Sequence, residues 1–484
     1  MSKTISSCID ETLIEDIFGD TYTELSGIAF DSRKVENGYA FFAIRGVNHD
    51  GHNYIDQAIK AGATSVVAED IPEKKINGVT YVKVSSSQKA LGQAASCWYE
   101  DPSEDLTVVG VTGTNGKTTV ATLLYQIMMM SGEKAGLIST AEIMIGAEQR
   151  LRTDNTPTTP DPLTLHSLLR EMSDEGCKYV IMEVSSHAMH QNRLTGVFFG
   201  AGVFTNITHD HLDYHGTFEA YLEAKQSFFD LLPETAFAVA NIDDENGPFM
   251  LQNTKAAAYY YGLRNAADFD LDILSTSISG TEITINDHRI SLPLPGAYNG
   301  YNAAAAYGAA VLLGAEEERL PKIMSKLVTP PGRFEVLKRR DGKLGILDYA
   351  HSPDALENLL QTVRDIDSER RIITVFGAGG DRDASKRPLM GSIVARLSDY
   401  IILTSDNPRK ENPLSIIDDI HDGISKEDRE RVTISPNREE AIQAAVLLAR
   451  SGDCVILAGK GHETYQDIDG TKIPFSDKEV FLEA

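Results

Sequence analysis

Residues 106–111 read Leu-Thr-Val-Val-Gly-Val and open directly into Thr112-Gly113-Thr114-Asn115-Gly116-Lys117-Thr118-Thr119. A buried strand, a glycine loop, a Lys-Thr pair and a helix, in that order, leave few folds open. The strand belongs inside a sheet covered on both faces, with the loop at its carboxyl end. The same order makes a cradle for nucleotide phosphates. Backbone N–H groups and the helix N-terminus meet the anion, Lys117 adds a point charge, and the Thr118 hydroxyl reaches Mg²⁺. Gly110 and Gly116 stand one residue further apart than the GxxxxGK[ST] pattern allows, so the reading rests on the strand context as well as on the letters.

At 484 residues the chain is too long for one core, since single cores seldom grow past about 250 to 300 residues. Strands at 38–44 and 64–68 around a helix at 54–61 make a small α/β domain that ends in the polar stretch 100–105. The phosphate loop opens a second domain, whose strands at 179–184 and 201–205 keep the alternation of a parallel sheet before an antiparallel stretch at 273–294. Thr329-Pro330-Pro331-Gly332 breaks the chain again. Beyond it, strands at 345–348, 371–376, 400–404 and 454–458 form another open α/β sheet. The expected fold is α/β in three domains, with boundaries at 1–102, 103–331 and 332–484.

With 45 Lys and Arg against 71 Asp and Glu, the chain carries a formal charge of −26. Without a basic stripe it lacks the charge that nucleic acid or an anionic membrane would require. No apolar run approaches the roughly 20 residues of a membrane span, and the N-terminus lacks an apolar signal core. Cys8, Cys97, Cys177 and Cys454 lie far apart with no CxxC pair, which argues against a disulfide framework or a zinc site and for a reducing compartment. A soluble, cytoplasmic protein is expected.

Polar groups gather at neighbouring strand ends: Glu183-Val184-Ser185-Ser186-His187, then Gln191 and Arg193, and the run from Thr205 to His215. Glu183 and His211 suit Mg²⁺ alongside substrate oxygens, while three histidines in seven residues also admit zinc; His209 and His215 read better as loop stiffeners. In the helix at 218–232 the apolar positions 218, 221, 222, 228, 229 and 232 put Lys225 on the inward face. A lysine there is paired, neutral, chemically altered as a carbamate that could hold Mg²⁺, or snorkels out along its stem.

In the third domain, Asp348-Tyr349-Ala350-His351 ends one strand and Gly377-Ala378-Gly379-Gly380-Asp381-Arg382 the next. Arg382 stands where a dinucleotide fingerprint needs its last glycine, which weakens a nicotinamide reading. Asp406-Asn407-Pro408-Arg409 and Gly459-Lys460-Gly461-His462-Glu463 end two more strands. Carboxylates, amides and guanidiniums therefore converge as they would around a zwitterionic small molecule.

The runs 113–119, 183–187, 210–215, 348–351 and 406–409, in this order over essentially the whole chain, resemble the Mur ligases of peptidoglycan synthesis, most closely the tripeptide-synthetase type. The first run is shared with folylpolyglutamate synthetases, whereas Asp-Asn-Pro-Arg is specific to the diaminopimelate-adding kind. The resemblance implies a UDP-binding domain, a central phosphate-loop ATPase and a Rossmann-like C-terminal domain that brings the amino acid. It assigns Ser32, Asn48 and His49 to the UDP, and Thr158, Thr159, Ser185, Gln191 and Arg193 to the rest of the UDP-N-acetylmuramoyl dipeptide. It gives ATP to Gly113 through Thr119 with Asn302, Arg333 and Asp348. Mg²⁺ goes to Thr118, Glu183, His211 and a carbamate on Lys225. The amino acid, meso-diaminopimelate, goes to Arg382, Asp406, Asn407, Pro408, Arg409, Gly459 and Glu463. The implied chemistry is amide formation through an acyl phosphate, with Lys117, Lys225 and His351 catalytic, in a cytoplasmic monomer. Addition of L-lysine, a folylpolyglutamate-type ligase, and a nucleotide-gated binding protein are the alternatives.

Overall fold

The computed structural model describes residues 3–46, 49–150, 157–208 and 210–484; Asn48 and His209, singled out above, lie outside them. Three principal sheets follow one another along the chain. The first has five strands in the order Ile14–Phe18, Thr80–Val84, Ser65–Ala68, Tyr39–Ala43 and Gly27–Ala29, antiparallel only in its first pair.

The second sheet has eleven strands. Its middle is parallel, with Thr107–Thr112 lying between Tyr179–Glu183 and Phe199–Phe204. Every residue from Val108 to Thr112 is buried, as expected of a β-branched run covered on both faces. The antiparallel stretch expected near 273–294 is present as Phe269–Ser277, Gly280–Ile285 and His288–Leu292. One glycine in the central strand matters for function. A Cβ on Gly110 would lie 2.3 Å from Phe228, so its absence lets the helix Phe218–Asp230 press its aromatic face onto the strand and carry Lys225 beneath the phosphate loop.

The third sheet runs Glu335–Lys338, Leu344–Asp348, Cys454–Ala458, Ile372–Phe376, Tyr400–Leu403 and Val432–Ile434, parallel from its second strand onward. A separate hairpin, Tyr465–Ile468 with Thr471–Pro474, packs at its carboxyl edge. No described helix is long and apolar enough to cross a membrane.

The cysteine expectation needs correction. Cys8 and Cys97 form a disulfide, although 89 residues separate them, while Cys177 and Cys454 are free and buried. The short helix Ile5–Cys8 packs on Ser87–Trp98, so tertiary packing brings together two thiols whose spacing carries no signal.

Candidate functional site: a cleft between two sheets

The carboxyl ends of the second and third sheets face each other across a cavity of about 800 Å³. On the first side, the register sets Glu183 opposite Val111 and Phe204 opposite Thr112, so the phosphate loop, Glu183 and Thr205-Asn206 emerge side by side. The loop is stitched to its neighbour: Thr114 N–H donates to the Asn206 carbonyl (2.7 Å), Asn115 N–H to Asn206 Oδ1 (2.9 Å), and Thr205 Oγ1 to the Asn115 carbonyl (2.6 Å). Gly113 (φ 150°) and Gly116 (φ 84°) bend it, and a Cβ on Gly113 would lie 1.9 Å from Thr205 Oγ1. This is a cradle that only backbone can line.

Two lysines point into its underside. Lys117 Nζ donates to the carbonyls of Gly113 (3.1 Å) and Thr114 (2.9 Å), and Lys225 Nζ donates to Gly113 O at 2.7 Å, 4.9 Å from the centre of the Tyr221 ring. Lys225 is only 2% exposed, which settles the snorkelling alternative. Loss of water lowers the pKa of both amines, and the charge of Lys117 depresses Lys225 further. Among the described residues, no carboxylate lies within ion-pair distance of either. An anion in the cradle is what such a pair lacks, and triphosphate oxygens fit that need.

Thr118 Oγ1 donates to Glu183 Oε1 (2.9 Å), which also accepts Thr140 N–H (2.5 Å), and Arg333 reaches Thr118 Oγ1 at 3.2 Å. His211 lines the cavity, its ring edge-on to His187 at 4.9 Å, and burial pushes its pKa down to about 3, leaving a neutral imidazole. Among the described residues no three His, Cys, Asp or Glu side chains form a ready-made cage. Mg²⁺, which keeps waters and phosphate oxygens as ligands, does not require one.

Of the residues assigned to the UDP-linked substrate, Thr158, Ser185 and Arg193 line the cavity. Thr159 is buried behind them, donating to the Glu183 carbonyl (2.9 Å), and its own carbonyl accepts from Arg193 (2.8 Å). Ser32, His49 and Gln191 are not in the described lining. Ser32 is buried in the turn Ser32–Lys34 of the first domain, and Gln191 instead orients Arg193, accepting its guanidinium at 2.6 Å. Asn302 and Asp348 line the cavity; burial raises the Asp348 pKa, and its carboxylate accepts the N–H groups of Phe334 (2.7 Å) and Ala350 (2.8 Å). His351 lines the same wall, with Nδ1 2.7 Å from the Tyr349 carbonyl.

On the opposite side, four parallel strands end at Asp348, Ala458, Phe376 and Leu403, and the loops that follow carry Gly459, Gly377 and Asp406. Gly459 (φ 108°) is required where it stands, because a Cβ would lie 2.4 Å from Asp406 Oδ2. Arg382, Asp406, Asn407, Arg409, Gly459 and Glu463 all line the cavity. Pro408 contributes backbone: a Cβ on Gly380 would sit 2.0 Å from its carbonyl. Arg409 is left-handed (φ 51°), and its guanidinium donates to the Gly380 carbonyl.

Sequence reasoning gave no role to three residues that join the two walls. Asn115 Nδ2 donates to Asp354 Oδ2 (2.6 Å), which also accepts from Thr208 (3.3 Å), and Lys386 pairs with the buried Asp210 at 2.9 Å. Asp210 and Asp354 sit inside runs noted for their neighbours. Lys386 has no local signature at all, since its partner lies 176 residues away.

Comparison with known proteins agrees with this arrangement. Three family models match successive parts of the chain: the one described as "Mur ligase family, catalytic domain" at residues 24–99, "Mur ligase middle domain" at 111–310, and "Mur ligase, glutamate ligase domain" at 332–461. A protein of Phocaeicola vulgatus named UDP-N-acetylmuramoyl-L-alanyl-D-glutamate--2,6-diaminopimelate ligase is 49% identical over 96% of both chains. A protein of the same name from Aquifex aeolicus is 43% identical over 95% of this chain and 93% of its own. A solved structure titled with that name superposes with a TM-score of 0.69 at 31% identity, covering 99% of this chain and 98% of the other. The MurF ligase of Thermotoga maritima in complex with ADP shares the fold, with a TM-score of 0.63 at 22% identity over 91% of this chain and 95% of its own. From the phosphate cradle, the facing polar loops and relatives matched over almost their whole length, the chain belongs to the Mur ligase family.

Proposed function

We propose that this chain is the ATP-dependent ligase that joins meso-diaminopimelate to UDP-N-acetylmuramoyl-L-alanyl-D-glutamate, as a cytoplasmic monomer of three domains, 1–102, 103–331 and 332–484. The observation that carries this is the cavity itself: one wall is a phosphate cradle over two desolvated lysines, and the wall opposite carries paired acids and a fixed guanidinium. ATP makes phosphate a leaving group on the D-glutamyl carboxylate; an amine then displaces that phosphate through a tetrahedral intermediate. The protein contributes position and charge. Lys117 neutralises oxygen charge at the cradle, and Arg333 and His351 support the same region from the third domain. Arg193, Ser185, Thr158 and Thr159 orient the dipeptide end, with Ser32, Asn48 and His49 at the UDP.

Thr118, Glu183 and His211, together with a carbamate on Lys225, would hold Mg²⁺. Burial lowers the Lys225 pKa and so raises the share of neutral, nucleophilic amine, which favours carbamate formation with CO₂. On the amino-acid side, Asp406 and Glu463 take an ammonium and Arg409 takes the second carboxylate, which lysine lacks.

A coupled ADP-release assay with the UDP-dipeptide and either meso-diaminopimelate or L-lysine tests the reading. Leaving a buried charged donor unsatisfied costs about 2 to 5 kcal/mol, so the preference expected for diaminopimelate is roughly 30-fold to several-thousand-fold. It should collapse in Arg409→Ala through the amino-acid KM. Equal kcat/KM for the two amino acids in the wild type would overturn the assignment.

A further inference from the structure

Behind the amino-acid wall sits a lysine with no role so far. Lys460 is fully buried and outside the cavity lining, so it does not touch a ligand there. Its amine donates to Asn407 Oδ1 (3.0 Å) and to Glu463 Oε2 (2.9 Å). Asn407 Oδ1 accepts a second hydrogen bond, from the Asp467 N–H at 2.9 Å, and Asn407 Nδ2 donates to the same Glu463 Oε2 at 2.8 Å.

The chemistry of these groups fixes their orientation. An ammonium and a backbone N–H are donors only, and a carboxylate is an acceptor only, so the Asn407 amide can face them in just one of its two flips. Both lone pairs of its oxygen are then used. Asn407 therefore has no acceptor left for an ammonium: what remains is the second N–H of Nδ2, a donor suited to a carboxylate. Glu463, with Oε2 held by two donors, keeps its plane fixed beside it.

The hairpin Tyr465–Ile468 and Thr471–Pro474 completes the frame. Gln466 Nε2 donates to the Asp406 carbonyl (2.9 Å), the Arg409 N–H donates to the Asp467 carbonyl (3.0 Å), and the Asp469 N–H donates to the Arg409 carbonyl (2.7 Å). These backbone bonds hold Arg409 in its left-handed conformation, which a non-glycine residue rarely adopts unaided.

We propose that Lys460 is a positioning residue for the ligase reaction: acting with the 465–474 hairpin, it locks the Asn407 amide and the Glu463 carboxylate into the one arrangement that reads both charged groups of an amino-acid head. This rests on the reading of the third-domain loops as the amino-acid site. It adds that their specificity is set from beneath, by a cation that never meets the substrate.

The test is steady-state kinetics on the full-length enzyme with ATP, the UDP-dipeptide and meso-diaminopimelate. Lys460→Met keeps the aliphatic stem and removes the charge. Outer partners of this kind are typically worth about 10- to 100-fold, so the amino-acid KM should rise by that factor while kcat and the KM values for ATP and the UDP-dipeptide stay close to wild type. Gln466→Ala, at a partly exposed position, removes the side-chain bonds to the Asp406 (2.9 Å) and Ser405 (3.5 Å) carbonyls and should raise the same KM by a smaller factor. It carries the test if Lys460→Met does not fold. An unchanged amino-acid KM in a folded variant, or a parallel rise in all three KM values, would overturn the proposal. The two readings fail separately: a wild type indifferent between meso-diaminopimelate and L-lysine removes the substrate assignment, whereas a discriminating wild type whose amino-acid KM is unchanged in Lys460→Met removes only the positioning role.

Discussion

The two walls of the cleft treat buried charge in opposite ways. In the second sheet, half-buried Lys117 and buried Lys225 converge on one carbonyl, that of Gly113, with no carboxylate at ion-pair distance among the described residues. In the third sheet every buried cation is matched. Arg438 and Asp477, both fully buried, form two bonds of 2.7 and 2.6 Å, and Arg438 also reaches the Ala458 carbonyl at 2.9 Å behind Gly459. Arg387 pairs with Glu411 (2.9 Å) and Asp419 (2.8 Å), and Lys460 with Glu463. The first arrangement leaves charge to be completed by a highly anionic ligand. The second spends its charges internally, which rigidifies the wall proposed above to bind the amino acid. Charge in excess gives affinity for phosphate, and charge in balance gives geometry.

Several substitutions would break or sharpen this contrast. The largest effect is expected for Lys117→Ala, which removes the cation aimed at the phosphates: ADP release should fall on the order of 10²- to 10³-fold or more, with thermal unfolding unchanged or improved. A folded variant with wild-type turnover would refute the role. On the balanced side, Arg438→Met orphans Asp477 in a dry interior and should cost about 3 to 5 kcal/mol of stability by denaturant titration.

The opposite sign is expected across the cleft. The folded-state pKa of Lys225 is depressed, so its contribution to stability is full only above the ordinary lysine value near 10.5 and is lost as pH falls; at neutral pH its burial is a cost. Lys225→Met should therefore unfold later than wild type in bicarbonate-free buffer, by about 1 to 3 kcal/mol, while losing activity. Lys225→Ala should regain part of its activity with short carboxylates, which can occupy the space of a carbamate. Full activity without them would remove the carbamate from the mechanism.

The smallest effect concerns a third way of burying a titratable group. His166 is fully buried, with Nε2 at 3.2 Å from the Thr195 carbonyl, and burial lowers its pKa below 6.5. The unfolded chain then takes up the proton first, so the contribution of His166 is intact above about pH 6.5 and is lost as the pH falls, by at most about 1.4 kcal/mol per pH unit. His166→Gln, which keeps a donor for Thr195, should flatten the urea midpoint between pH 7 and 5. An unaltered slope would show that other groups carry the acid sensitivity.

Local chemistry was legible in the sequence because it is written at short range. The order of strand, glycine loop and helix defines the cradle, the three-to-four-residue period of 218–232 turns Lys225 inward, and the acids and guanidiniums after four strand ends line one cavity. The tertiary structure alone decided which ends are neighbours. Glu183 stands beside Val111 only because their strands pair in parallel, Cys8 meets Cys97 only because two helices pack, and Lys386 finds Asp210 only across the cleft. The orientation of the Asn407 amide is likewise set by Lys460 and by the Asp467 N–H, 53 and 60 residues away in sequence. Backbone sterics and side-chain periodicity act over a few residues and leave a mark in the order of amino acids. Hydrogen bonds and ion pairs act over about 3 Å of space, whatever length of chain lies between the partners.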